Sequence, residues 1–321
     1  MISDAGAESI VIITPTWAGD WEHFRLMRAS LESSPLANLS HYVVVQTEDL
    51  PLFEEFRDRE GLELLSTKDV LPEEVEVRRK QAKILSRVLG RTVTKLLGSL
   101  NRLISWPKWP SYTGWHTQQL CKLKLASELD CDIAIILDSD IVVTPSASIS
   151  DFSNAQAVRC FADWKPRNLL TGKVRNWISV SESAAGVKNA NKIANTYFDT
   201  PFIFHRKPLR SALAYLEAQG GGHWWQELLR LPPRRWSEFG YYKAFLEHHV
   251  DSKSVEWYEP SFTRYVYDTH DAEYVVDAVK TMLADPDVHY ITIHSHSSGR
   301  ENWDPRLYIE PIKAILAEKD E

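Results

Sequence analysis

Cysteine is scarce in this 321-residue chain, which has only Cys121, Cys131 and Cys160. The number is odd and no pair has C-x-x-C spacing. That argues against a disulfide framework or a zinc site and fits free thiols in a reducing compartment. Long apolar runs are missing too. No stretch of about 18 apolar residues occurs, so no transmembrane helix is expected. Met1 to Ser9 carries Asp4 and Glu8 and no basic segment, unlike a secretory signal. Repeats and low-complexity tracts are absent. Positive charge is in deficit, with a formal net charge of −7, which argues against general nucleic-acid binding.

What remains is ordinary globular material, 44% hydrophobic and 25% charged, enough for one large domain or two small ones. Aromatic content stands out, with twelve tryptophans. The stretch Ile133 to Val143 reads as a buried strand, an apolar run broken once by Asp138 and Asp140. In a strand, residues two apart point the same way. The two carboxylates can therefore aim at one point past the strand's end, where α/β sheets bind ligands. Paired oxygen donors suit Mg²⁺ or Mn²⁺.

The rest of the chain supplies the setting. Ile10 to Trp17 predicts a strand stopped by Pro15, and Trp21 to Glu32 a helix. Leu39 to Gln46, Pro51 to Arg59 and Leu62 to Leu65 continue as strand, helix and strand. That alternation implies an α/β fold with a mainly parallel sheet. The first two strands would end side by side, placing Pro15, Thr16, Trp17, Glu48 and Asp49 where a nucleotide base can bind.

A second absence is local. Residues 77 to 127 contain no Asp or Glu, yet hold Arg78, Arg79, Lys80, Lys83, Arg87, Arg91, Lys95 and Arg102 among other cations. Leu85, Val88, Leu89, Leu96 and Leu97 keep helical spacing, with most cations on the other side. Trp106 and Trp109 follow, each flanked by proline. A basic amphipathic helix followed by tryptophans suits an anionic membrane surface. Ordinary packing, an anionic substrate and nucleic acid compete for the same cations. Gly90 and Gly98 weaken the helix, which can fall into two pieces.

Gly114 to Ala126 predicts the next helix, with Thr117 as N-cap and Gln118, Gln119, Lys122 and Lys124 near the site. Ala157 to Ala162 and Phe202 to Arg206 read as strands, and Leu209 to Gln219 as a helix. Asp163 to Asn189 reads as an irregular substrate loop. Ser237 can cap a helix that starts at Glu238, a carboxylate among aromatics with the makings of a general base. His289 to His296 reads as a strand whose His294 and His296 point one way, and either can complete a metal site.

Taken in order, Thr14-Pro15-Thr16, Gly-Trp-x-x-Gln-Gln from Gly114, Asp138-Ser139-Asp140, Ser237-Glu238-Phe239-x-Tyr241 and His294-Ser295-His296 resemble the GT-A class of nucleotide-sugar glycosyltransferases. The resemblance covers most of the chain and implies a Rossmann-type, mainly parallel mixed sheet flanked by helices. It implies a single catalytic domain over 1–321 with a basic helical insertion at 77–110. Asp138, Asp140 and His294 or His296 would hold Mn²⁺ or Mg²⁺. Thr14, Pro15, Thr16, Glu48, Asp49, Gln119, Lys122 and Asp138 would bind the nucleotide-sugar donor. Glu238 would deprotonate the acceptor, giving inversion. The implied partners are a nucleotide-sugar donor and a glycan or lipid-linked acceptor, in a cytoplasmic enzyme of bacterial surface polysaccharide synthesis that touches the membrane's inner face through residues 78–109.

Two rivals remain at this stage. Asp138-Ser139-Asp140-Ile141-Val142 also matches the opening motif of haloacid-dehalogenase-like phosphatases, with Asp138 as nucleophile. That motif normally opens a chain, and no later Gly-Asp-x-x-x-Asp follows. The other rival is a non-catalytic membrane or scaffold protein on a transferase fold.

Overall fold

The computed structural model describes residues 8–104, 114–154, 156–232, 234–294 and 304–318. The calls on Trp106, Trp109 and His296 lie outside the described residues, as do the side chains of Arg91, Lys95 and Arg102.

The N-terminal half alternates as its apolar periods require. Strand β1 (Ile10–Pro15) leads to α1 (Trp21–Glu32), β2 (Ser40–Val45), α2 (Leu50–Phe53) and β3 (Leu62–Ser66). The short α3 (Thr67–Val70) precedes the long α4 (Glu73–Ile104), and α5 (Gly114–Glu128) delivers the chain to β4 (Ile133–Ile136). β1 pairs in parallel with β2 on one side and β4 on the other, and β2 with β3. The five-stranded sheet, in order β3-β2-β1-β4-β9, is closed by β9 (Phe202–His205), antiparallel to β4. β4 has no exposed position because layers cover both of its faces, which is why its sequence is uninterruptedly apolar.

The second half wraps this sheet. β5 (Ile141–Val143), β6 (Val158–Phe161), β7 (Trp164–Pro166), α6 (Gly172–Ala184) and β8 (Ile193–Asn195) come before β9. α7 (Arg206–Gly220), α8 (Trp224–Arg230), α9 (Glu238–His249), β10 (Val255–Tyr258), β11 (Thr263–Val266), α10 (Ala272–Leu283), β12 (Tyr290–Ile293) and α11 (Arg306–Glu318) come after it. Three small sheets result: β10-β6, β11-β12-β5 and the ribbon β7-β8. One core surrounds the large sheet, and a second forms where α10 and α11 pack on β12 and on Leu26 of α1.

Four expectations need correction. Ile133 to Val143 is not one strand. β4 ends at Ile136 in the large sheet, and β5 starts at Ile141 in another. The chain turns between them, with Ile141 N–H donating to the Asp138 carbonyl at 3.3 Å, so strand alternation does not aim the aspartates. Asp163 to Asn189 is no loop. It contains β7 and α6, whose Ile178 and partly buried Val174 pack with Leu170 and Ala194 and whose Val180 and Ala184 pack on the main core. Thr117 is no N-cap, because helix already runs from Gly114 and Thr117 is buried within it. Finally, α4 is one 32-residue helix, about 48 Å long, continuous through Gly90 and Gly98. Each glycine costs about 1 kcal/mol there, which a long cooperative hydrogen-bond ladder absorbs.

Candidate functional site

β1 and β2 end side by side, tied by the Thr16 N–H to Val44 carbonyl bond at 2.8 Å. Over their ends lies a cavity of about 620 Å³, lined by Pro15, Thr16, Trp17, Trp115, Gln118 and Arg234 among others. Gly19 is required here. A Cβ on it would stand 2.3 Å from Trp17 Cζ2, so the bare glycine backbone lets the indole lie against it. Trp17 Nε1 donates to Asp20 at 2.7 Å, fixing the ring. Among the described residues, neither Asp nor Glu lines the cavity, in a chain that is acidic overall.

The sequence-based base-binding set divides. Pro15, Thr16 and Trp17 line the cavity. Thr14 is buried in the sheet with its hydroxyl held at 2.9 Å by His41. Burial beside Arg28 pushes the His41 imidazole down to about 3, so it is neutral. Asp49 accepts the Ala18 N–H at 3.0 Å, bracing the turn after β1. Glu48 binds Arg79 at 2.6 Å and Lys83 at 3.3 Å. Burial would raise its carboxyl, but the Arg79 hydrogen bond and the two cations bring it down to about 2.

Asp138 lies beyond β4, the strand next to β1, and Leu137 N–H still reaches the Ile13 carbonyl at 3.2 Å. Its carboxylate meets Lys122 Nζ of α5 at 2.9 Å. The same Nζ stands 3.4 Å from Glu238 Oε1, the first residue of α9, and 4.9 Å above the Phe239 ring. Lys122 and Glu238 are buried, whereas Asp138 has a half-exposed side chain. Burial alone would lower the lysine, but the Asp138 and Glu238 carboxylates raise it above its usual range. Burial also pushes the Glu238 carboxyl up, against the pull of Lys122.

Glu238 is placed by its own helix start. Ser237 holds the N-cap position with extended backbone, and its hydroxyl donates to Glu238 Oε2 at 3.1 Å rather than capping α9. Gly240 permits close approach of α6, since a Cβ there would meet Ser181 Oγ at 2.7 Å and Phe198 at 3.0 Å.

Asp140 and His294 meet through backbone register. Ile141 faces Thr292, and Ile293 N–H donates to the Asp140 carbonyl at 2.8 Å, which leaves His294 beside the Asp138–Asp140 turn. The His294 ring stacks on Tyr267 at 4.8 Å and Tyr265 at 6.2 Å. Asp199, after β8, interacts electrostatically with both His294 and Asp138. Among the described residues, no three His, Cys, Asp or Glu side chains form a cluster able to hold a metal ion. One Asp138 oxygen is engaged by Lys122, which leaves the other as the donor it could offer a cation.

Gln119 lies on α5 one turn before Lys122, buried, and its amide has no hydrogen-bond partner among the described residues. Sequence reasoning gave no role to Trp115 or Arg234. Arg234 adopts a left-handed φ of 59°, and its carbonyl accepts Trp177 Nε1 at 3.1 Å. Trp177 in turn stacks on Trp115, centroids 6.3 Å apart, so the two cavity residues brace each other. A non-glycine residue held at positive φ at a cavity wall was the missing signal, and it is invisible in composition.

Residues 9–280 match a family of unknown function, DUF6492. The chain belongs to that family. Comparison with curated proteins finds no match. Among solved structures, the fold is similar to that of the galactosyltransferase LgtC in complex with donor and acceptor sugar analogues, at 11% identity, 96% of this chain, 95% of that one and a TM-score of 0.47. It is similar to the bifunctional glycosyltransferase WbbM, at 10% identity, 98% of this chain, 52% of that one and a TM-score of 0.46. It is similar as well to mouse xyloside xylosyltransferase 1, at 9% identity, 88% of this chain, 97% of that one and a TM-score of 0.44. At such identities, what this DUF6492 member does has to be argued from its own site.

Proposed function

We propose that this chain is a glycosyltransferase that moves a sugar from a nucleotide-sugar donor to a glycan or lipid-linked acceptor, acting as a single catalytic domain. The observation that carries the reading is the Lys122 bridge. One buried ammonium holds Asp138 and Glu238 within ion-pair range at the end of β4, beside a cavity over β1 and β2 that has tryptophan walls and a cation. Trp17 and Trp115 offer faces to a base. Arg234 offers charge to a diphosphate.

Glu238 takes the acceptor hydroxyl's proton while that oxygen attacks the anomeric carbon and the nucleoside diphosphate leaves. A single displacement of this kind inverts the anomeric centre. Burial raises the Glu238 carboxyl, which makes it a stronger base than an ordinary carboxylate. Asp138, Asp140 and His294 or His296 would hold Mn²⁺ or Mg²⁺, which would offset charge on the departing diphosphate, and the steps above route nothing through a metal. The phosphatase reading gives Glu238 and the cavity no role.

For α4, peripheral contact with an anionic membrane fits a specific pattern. Val77, Ile84, Val88 and Leu89 are exposed, with Arg87 exposed beside them, while Arg79, Lys80 and Lys83 are engaged by Glu48 and Glu76. No described helix is long and apolar enough to cross a membrane. Such contact would bring a lipid-linked acceptor of surface polysaccharide synthesis to the site.

The test is calorimetry with UDP, GDP, CMP and their sugars, with and without Mn²⁺, on wild type and Asp140→Ala. One nucleotide bound by the wild type supports the reading, and a need for Mn²⁺ that is lost in Asp140→Ala would assign the metal to this turn. Failure of every nucleotide overturns it.

A further inference from the structure

A second concave site lies beyond the far end of α9. Its volume is about 510 Å³, within the rough 300–1,000 Å³ range of small-ligand pockets. Leu246 and Val255 form the floor, Trp164 and Trp257 one wall, and Asn191 and Glu247 contribute to the rim. The two indoles meet edge to face, centroids 5.4 Å apart and planes at 76°. Trp164 is 37% exposed although it sits on a β-strand. A tryptophan packed for stability alone would be buried further. Its strand β7 pairs only with β8, and that ribbon carries Ile193, 46% exposed, into the same wall.

The chemistry of the walls selects the occupant. Two indole surfaces accept flat C–H faces. Asn191 donates an amide hydrogen to Glu247 at 2.5 Å, which keeps both rim groups in place with further valences to spare. The Lys192 and Glu247 charges offset each other, so nothing here calls for an anion. Alternating C–H faces and hydroxyls on a neutral ring are what a pyranose presents. The place along the fold narrows this further. Glu247 is nine residues after Glu238 on the same helix, about 13 Å along its axis and half a turn round it, so one sugar cannot touch both.

We propose that this groove is an acceptor subsite that binds a neutral oligosaccharide through units remote from the reacting hydroxyl, with Trp164 and Trp257 as its stacking platforms. The inference rests on the glycosyltransferase reading of the Lys122 site and names the acceptor class for it. Sugar units held here would tether the acceptor at a distance from Glu238 and favour chains over single sugars.

The experiment is a glycan array of neutral oligosaccharide ladders and their monosaccharides, probed with the full-length protein, followed by titrations of the best ladder. Wild type should retain oligosaccharides and not monosaccharides. Trp164→Ala and Trp257→Ala should each weaken binding about tenfold or more, because each removes one of the two indole surfaces that accept the C–H faces. Trp164→Phe, which keeps a ring, should retain most of it. Unchanged binding by Trp164→Ala, or no neutral oligosaccharide bound by wild type, overturns the proposal. Nucleotide calorimetry on the same Trp164→Ala protein separates the two readings. Glycan binding lost with nucleotide binding kept supports the groove. Glycans bound at the groove by a protein that binds no nucleotide would leave a glycan site and sink the transferase.

Discussion

Lys122 Nζ stands 3.4 Å from Glu238 Oε1, although 116 positions separate the two residues in the chain. The lysine lowers a carboxyl that burial raises, so it would tune the proposed base as well as hold it. Glu238→Gln should cut turnover about 10²–10⁴-fold, the usual share of a general base, with nucleotide affinity kept. The acid limb of wild-type activity should lie above the ordinary carboxylate value of 4.5, since the active form is deprotonated. Lys122→Met should move that limb to higher pH, and a limb that stays put would sink the tuning role. The stability sign follows from the same shift. Within that window the folded chain holds a proton that the unfolded chain has released, so stability falls as pH rises through it.

A second expectation concerns Gly240. Adding a methyl there would press on Ser181 Oγ, which accepts the Ser237 N–H at 3.5 Å and donates to the Ser237 carbonyl at 3.4 Å. The strain would therefore reach the start of α9. Gly240→Ala should cost about 1–3 kcal/mol, as overpacking does, and lower kcat more than it raises KM. Ser181→Ala in the same protein should recover part of both. Strict additivity in that double-mutant cycle would show that the two positions do not communicate.

How far the site was legible depended on whether its signal was local. Asp138, Glu238 and the lysine between them were each marked by nearby residues: an apolar run, an aromatic helix start and the helix leading to the strand. Their convergence was not, because it comes from α5, β4 and α9 packing together. The parallel order of β1, β2 and β3 followed from alternating periods. The break of Ile133 to Val143 into two sheets did not, since apolar continuity cannot distinguish one buried strand from two. α6 was hidden by its polarity, with Val174, Ile178, Val180 and Ala184 as scattered anchors on two separate cores. Arg234 was hidden because a backbone angle has no compositional trace.

The cavity makes its own prediction. Trp17→Ala and Trp115→Ala should each weaken nucleotide binding by about 1–3 kcal/mol, the usual worth of one stacked base. Arg234→Ala should weaken nucleoside diphosphates more than the bare nucleosides, and added salt should shrink that gap. Equal losses for diphosphate and nucleoside would place the arginine's effect on the cavity wall instead of the phosphates. Calorimetry across the nucleoside, monophosphate and diphosphate series reads this directly.

The last prediction concerns Lys243, one of the most enclosed cations. Its ammonium donates to the Asn195 carbonyl and side-chain oxygen, both at 3.2 Å, and to the Tyr197 carbonyl, and lies 3.9 Å from the Phe198 ring centroid. Those acceptors use all three of its hydrogens. Burial nevertheless brings it down to about 7 from an ordinary 10.5, with Cys160, Asp199, Asp163 and Glu247 opposing. Below pH 7 both folded and unfolded chains carry the proton and the cost of burying it is fully present. Above pH 7 the folded chain sheds a proton that the unfolded chain keeps until about 10.5, so stability should rise with pH across that interval. Thermal melts from pH 7 to 9 should therefore show a rising Tm in wild type. Lys243→Met should be less stable throughout, because three acceptors lose their donor, and its Tm should lose that upward component. A slope identical to wild type would mean that Lys243 stays charged in the fold across this range.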